Sequence, residues 1–186
     1  MKLDPEKWLE SYHEAGLYAR EKYGSLTDEQ FNWKPNPKKW SVGQCVEHLH
    51  ITGSLVLPRL ENAIHKAESK NKPPSSKPLK AGFFERWFLR MSGEGGKPVP
   101  APPLYKPDRS ELDRDEILRK FEQLQMEASE LVRRSSGLRL DKLKVASPYT
   151  RFLRLSVAMW FELMASHQKR HFAQADRVLD HPEFPE

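Results

Sequence analysis

The chain has 186 residues and a formal net charge of +5, a length that predicts about one domain with a core large enough to need no disulfides. Apolar residues make up 38% and charged residues 31%, a balance that suits water-exposed helices better than a sheet-rich sandwich, and no apolar run approaches the ~18 residues of a membrane span. The start MKLDPEKWLE lacks the apolar stretch of a secretory signal, so a cytoplasmic location is expected, and the single Cys45 rules out an internal disulfide, a zinc ribbon or a CxxC site.

Asp4-Pro5-Glu6 reads as a helix start, with Asp as the cap, proline at the first helical position and acid in the first turn. Trp8, Tyr12, Ala15, Ala19 and Tyr23 then recur at helical spacing, and Gly24 ends the element. Thr27 to Gln30 is a small capping box whose helix is stopped by the prolines of NWKPNPKKW. Ser41-Val-Gly-Gln44 is a stronger box. It opens a pattern of Val42, Val46, Leu49, Val56, Leu60 and Ile64, which predicts a long helix of some 25 residues bent at Pro58.

From Lys66 to Pro107 lie eight of the fifteen prolines, the composition of a connection and not of a core element. Residues 66–106 also hold nine Lys/Arg against three Glu, a surplus of six that leaves the rest of the chain at minus one. A phosphate-binding face would spread its charge over an ordered surface, so nucleic acid is not an expected partner. Inside this stretch Phe83, Phe84, Trp87, Phe88 and Met91, flanked by Arg86 and Arg90, form a short amphipathic helix. Such a helix can lie on a membrane; the reading adopted is that its aromatics cover the open end of a helical bundle, with no membrane partner. Ser110-Glu-Leu-Asp113 restarts a helix carried by Leu112, Ile117, Leu118, Phe121, Leu124 and Leu131 as far as Gly137, and the last helix is expected from about Ser147-Pro148 to Leu179. The fold class predicted is all-α: a four-helix bundle in one domain over 1–186, with a long proline-rich crossover at 66–109 between the second and third long helices. No strand pattern competes. A homodimer is compatible with this many exposed aromatics.

The most informative feature is His167-Gln-Lys-Arg-His171 on the last helix. At about 100° per residue, Phe152, Leu153, Val157, Met159, Trp160, Leu163, Met164 and Val178 define an apolar stripe. Arg154, Glu162, Lys169 and Asp176 define the opposite face. Both histidines fall within the stripe. A buried imidazole without a partner costs about 1–3 kcal/mol, and two on one face can be satisfied together by a shared metal ion, since residues at i and i+4 sit about 6 Å apart. A third ligand is needed. Glu47-His48-Leu49-His50 offers two candidates on opposite flanks of its helix, and periodicity does not choose between them. Glu47, about 100° round from its neighbour, is expected to face solvent.

These segments resemble a known family. Trp40-Ser41-Val-Gly-Gln44-Cys-Val-Glu47-His48-Leu49, followed by His167-Gln-Lys-Arg170-His171-Phe-Ala-Gln174, is similar to the two motifs of the DinB-like superfamily of metal-dependent proteins. The resemblance implies a four-helix bundle with a long crossover and a metal triad of His48, His167 and His171, so it selects His48 over His50. It also implies a divalent ion, with zinc or nickel ahead of iron or manganese, and hydrolase or thiol-dependent transferase chemistry on a small substrate. A non-enzymatic metal-binding or stress-response bundle is the alternative. Gln174 and Arg170 are candidates to orient a ligand or bind an anionic group. Cys45, one turn before His48, reads as a small buried hydrophobe more readily than as a soft ligand. Gln168 stands where the zincin motif H-E-x-x-H has its general base, and no G-x-S-x-G elbow, P-loop or G-x-G-x-x-G is present.

Overall fold

The computed structural model describes residues 1–71, 73–93 and 100–186. Most of the predicted caps act as caps. The Asp4 carboxylate accepts from the Glu6 amide at the head of α1 (Pro5–Tyr23), and Thr27 and Gln30 close a reciprocal box on α2 (Asp28–Asn32). Ser41 and Gln44 do the same for α3 (Val42–Glu68), which runs through Pro58 for 27 residues, about 40 Å at 1.5 Å per residue. After α4 (Phe83–Ser92), Asp113 caps α5 (Arg114–Arg134) by accepting from Glu116, and Ser156 caps α6 (Val157–Leu179) by accepting from Met159.

The four long helices α1, α3, α5 and α6 form the bundle: α1 packs on α5 and α6, and α3 packs on the same two. Two apolar clusters fill it. One is built around Trp8, Tyr12, Leu60, Ile64 and Phe161, the other around Tyr23, Phe31, Val42, Cys45, Phe121 and Phe172. The helices approach closely where Gly53 of α3 faces Leu124 of α5, since a Cβ at Gly53 would overlap the Leu124 side chain. Gly53→Val therefore forces the pair apart and costs about 1–3 kcal/mol; thermal unfolding checks this, and an unchanged midpoint would contradict it.

The structure corrects the sequence reading of the fold. Strands are present: β1 (Lys2–Leu3) pairs antiparallel with β2 (Leu79–Lys80), and β3 (Lys144–Ala146) with β4 (Arg154–Ser156). They are too short to carry an alternating signature. The second hairpin displaces the expected start of the last helix from Ser147 to Val157. Ser147 instead bonds across the hairpin, its amide donating to the Leu153 carbonyl, and Phe152, assigned to the helix stripe, stands 84% exposed. On α4, Phe88 packs on the core with Leu89 beside it, whereas Phe83, Phe84, Trp87 and Met91, also expected to shield the bundle, stand exposed. Between α3 and α5 the described residues hold β2, α4 and a 3₁₀ turn at Pro103–Tyr105. Residues 72 and 94–99 of the expected crossover lie outside the described residues.

Glu85 fastens α4 to the hairpin. Its carboxylate accepts from Lys144 Nζ and the Ser156 amide, both at 2.7 Å, and from the Gly82 amide at 3.0 Å. Burial pushes its pKa up, but the Lys144 ammonium and the two amides outweigh that and hold it below the ordinary 4.5. A carboxyl with a depressed folded pKa stabilises the fold in full above its unfolded value and loses that contribution as pH falls through the folded value. Glu85→Gln should therefore be less stable than wild type at pH 7, with a gap that narrows as pH drops below 4.5. Melting curves across that range test this; a gap constant with pH would contradict it.

Candidate metal centre

The first two turns of α3 hold one half of the site, and each polar residue of the tryptophan-to-histidine motif has a visible task. Ser41 and Gln44 cap the helix. Gln44 Nε2 also donates to the Arg109 carbonyl at 2.9 Å, and Glu47 Oε1 accepts from the Arg109 guanidinium at 2.8 Å. His48 Nδ1 lies 2.7 Å from the Tyr105 carbonyl. A carbonyl only accepts, so Nδ1 carries the proton and Nε2 keeps its lone pair. The Trp40 ring lies over His48 and His171, with centroids 4.9 and 5.8 Å away.

The other half comes from α6. One helical turn brings His167 Nε2 and His171 Nε2 to 3.0 Å from each other. The ring centroids of His48 lie 5.1 Å from His167 and 4.5 Å from His171. One ring nitrogen of each of the three histidines lies within 4.8 Å of the other two. His48 and His171 are buried, and His167 is partly open.

The electrostatics favour neutral rings. Burial pushes His48 below its ordinary value, against the Tyr105 carbonyl, which favours its protonated form. Burial first, then the charges of His48 and Arg170, bring His167 down to about 3. His171 is lowered further by burial and then by His167, His48 and Arg170, with Gln174 opposing weakly. At neutral pH all three are therefore lone-pair donors.

The cluster suits a divalent ion. Two nitrogens at about 2.0–2.1 Å from one ion, at angles of about 90–109°, stand about 2.9–3.4 Å apart, and the 3.0 Å between His167 and His171 falls inside that span. His171 Nδ1, on the other side of the ring from the Nε2 that faces His167, is buried with no hydrogen-bond partner among the described residues, and an ion at Nε2 would not reach it. No cysteine or carboxylate joins the three histidines among the described residues.

The ambiguity in Glu47-His48-Leu49-His50 is resolved in space: His48 joins the cluster, whereas His50 lies outside it, close to Ser54. Cys45 is buried in the apolar core, and burial pushes its thiol well above the ordinary range, which supports the hydrophobe reading over the ligand one. Glu47 is a correction: expected in solvent, it is 5% exposed, because the segment before α5 folds back over this face of α3 and brings Arg109 to it. Glu162 and Asp176, assigned to a polar face of α6, are also engaged. Glu162 accepts from the Trp8 indole and Asp176 from the Tyr18 and Tyr23 hydroxyls, because α1 packs on that side. Arg170 donates to the Gly93 carbonyl at 3.3 Å, and Gln174 is close to His171. The sequence reading missed Tyr105 and Arg109. Tyr105 acts through its backbone carbonyl, which no side-chain pattern reveals, and Arg109 stands past the 66–106 basic stretch with no spacing that links it to Glu47.

Helical bundle and convergent histidines together define a class, and the family comparison agrees with it. The profile of the DinB superfamily matches residues 19–175, so the chain belongs to that superfamily. Among individual proteins it is similar to the uncharacterized protein YuaE of Bacillus subtilis (strain 168), with 22% identity over 169 residues, 91% of this chain and 95% of that protein. No solved structure matches.

Proposed function

We propose that His48, His167 and His171 hold one divalent metal ion and that the chain is an enzyme carrying out metal-assisted hydrolysis or thiol-dependent transfer on a small substrate. The observation that carries this reading is the convergence of three imidazoles, one ring nitrogen of each lying within 4.8 Å of the other two, with no carboxylate or cysteine joining them among the described residues. These three residues would hold such an ion without cancelling its charge, and the ion would supply Lewis-acid chemistry, acidifying a water or thiol and polarising an electrophile. The chain's own residues prepare the place. The Tyr105 carbonyl fixes the His48 ring and its tautomer, and Trp40 covers the faces of His48 and His171. Zinc or nickel suits an all-nitrogen set, with iron or manganese as further candidates.

The test is turnover by protein loaded with zinc or nickel, using an activated ester with water and, separately, a low-molecular-weight thiol with an electrophilic acceptor. Wild type should accelerate one of these and a His167→Ala variant neither. A loaded protein that accelerates neither would favour the second reading, a metal-binding or stress-response bundle without catalysis.

A further inference from the structure

Glu47 and Gln44, which the chemistry above does not use, both hold the same residue. Gln44 takes the carbonyl of Arg109 and Glu47 its guanidinium, so this residue is pinned to α3 through both backbone and side chain. Four residues earlier stands Tyr105, whose carbonyl orients the His48 ring. The 3₁₀ turn at Pro103–Tyr105 and Pro107 limit the slack of the chain between the two. The Tyr105 hydroxyl lies 3.3 Å from Ser147 Oγ on the hairpin. Glu47 immediately precedes His48, so the clasp and the ring it serves leave the same turn of α3.

We propose that Glu47 and Arg109 are positioning residues for the ion site. Their ion pair holds the Tyr105 carbonyl against His48 Nδ1 and so keeps the His48 lone pair on Nε2. A purely structural role explains the pair poorly. A buried carboxylate loses hydration that its partner only partly restores, so apolar residues of similar size commonly serve stability as well or better. Glu47 is 5% exposed, and its second oxygen is buried without a partner, whereas the Arg109 side chain is 47% exposed. What such a pair supplies in return is a fixed register between two segments, here the strap carrying Tyr105 and the turn carrying His48. This rests on reading the three histidines as an ion site, and outer contacts of this kind typically change metal affinity about 10–100-fold when removed.

The experiment uses the full chain as wild type, Glu47→Gln, Arg109→Gln and the double variant. The ring nitrogens of His48 are followed by 15N NMR in metal-free protein, and zinc affinity by competition with a chelator. Wild type should show one His48 tautomer, protonated at Nδ1. Each single variant should show a mixture of tautomers and about tenfold weaker zinc binding, and the double variant should be no worse than the weaker single, because one clasp is broken either way. A His48 tautomer unchanged in folded variants, or losses that add in the double variant, would overturn the proposal. Should Glu47→Gln fail to fold, Arg109→Gln changes a half-exposed side chain and gives the same reading. If wild type binds no zinc, the ion-site reading fails, and the tautomer measurement still decides the clasp.

Discussion

His171→Leu should make the metal-free protein more stable while removing its capacity for a divalent ion. The ring is 6% exposed and its Nδ1 is buried without a partner among the described residues, a state that costs about 1–3 kcal/mol. Leucine fills similar space and brings no polar atom, while the partly open His167 can turn to water for the contact it loses. At about 2–4 °C per kcal/mol for a chain of this size, the metal-free midpoint should rise by several degrees. Zinc affinity should fall by more than the ~100-fold upper range of outer contacts, since a ligand itself is gone. Calorimetry with and without zinc reads both effects. A midpoint that drops in the metal-free variant would mean that the imidazole is already well satisfied by protein.

Phe121→Ala should be among the most damaging core substitutions. Phe121 is fully buried on α5 and meets Phe172 of α6 edge to face at a centroid distance of 5.9 Å. Phe172 in turn follows His171 directly. Truncating such a ring removes its apolar area and leaves a cavity, at a cost of about 3–5 kcal/mol, which lowers the midpoint by on the order of 10 °C. Chemical denaturation should show the loss as an earlier midpoint at constant slope. A cost below about 1 kcal/mol would show that α5 and α6 close over the gap.

The helices were legible because their causes are local. Asp4, Thr27 and Ser41 cap where expected, α5 is capped by Asp113 three residues beyond the expected start at Ser110, and the stripe from Trp8 to Tyr23 is buried along its whole length. The α6 histidine pair was legible for the same reason, since helical spacing alone places His167 and His171 together. The choice of His48 over His50 was not, because both lie on helix flanks; the family motif supplied it, and only the packing of α3 on α6 displays it. The two- and three-residue strands, and with them the true start of α6, were hidden because pairing so short depends on residues far away in sequence. Glu47 was misread because its partner lies 62 residues along the chain, and a helical projection sees only one helix.

The measurement that bears most directly on this account is metal stoichiometry after equilibrium dialysis against zinc or nickel, compared among wild type, His48→Ala and His50→Ala. The account predicts about one ion per chain in wild type and His50→Ala, and a small fraction of that in His48→Ala. Equal ion content in wild type and His48→Ala, or its loss in His50→Ala, would contradict a centre built from His48, His167 and His171.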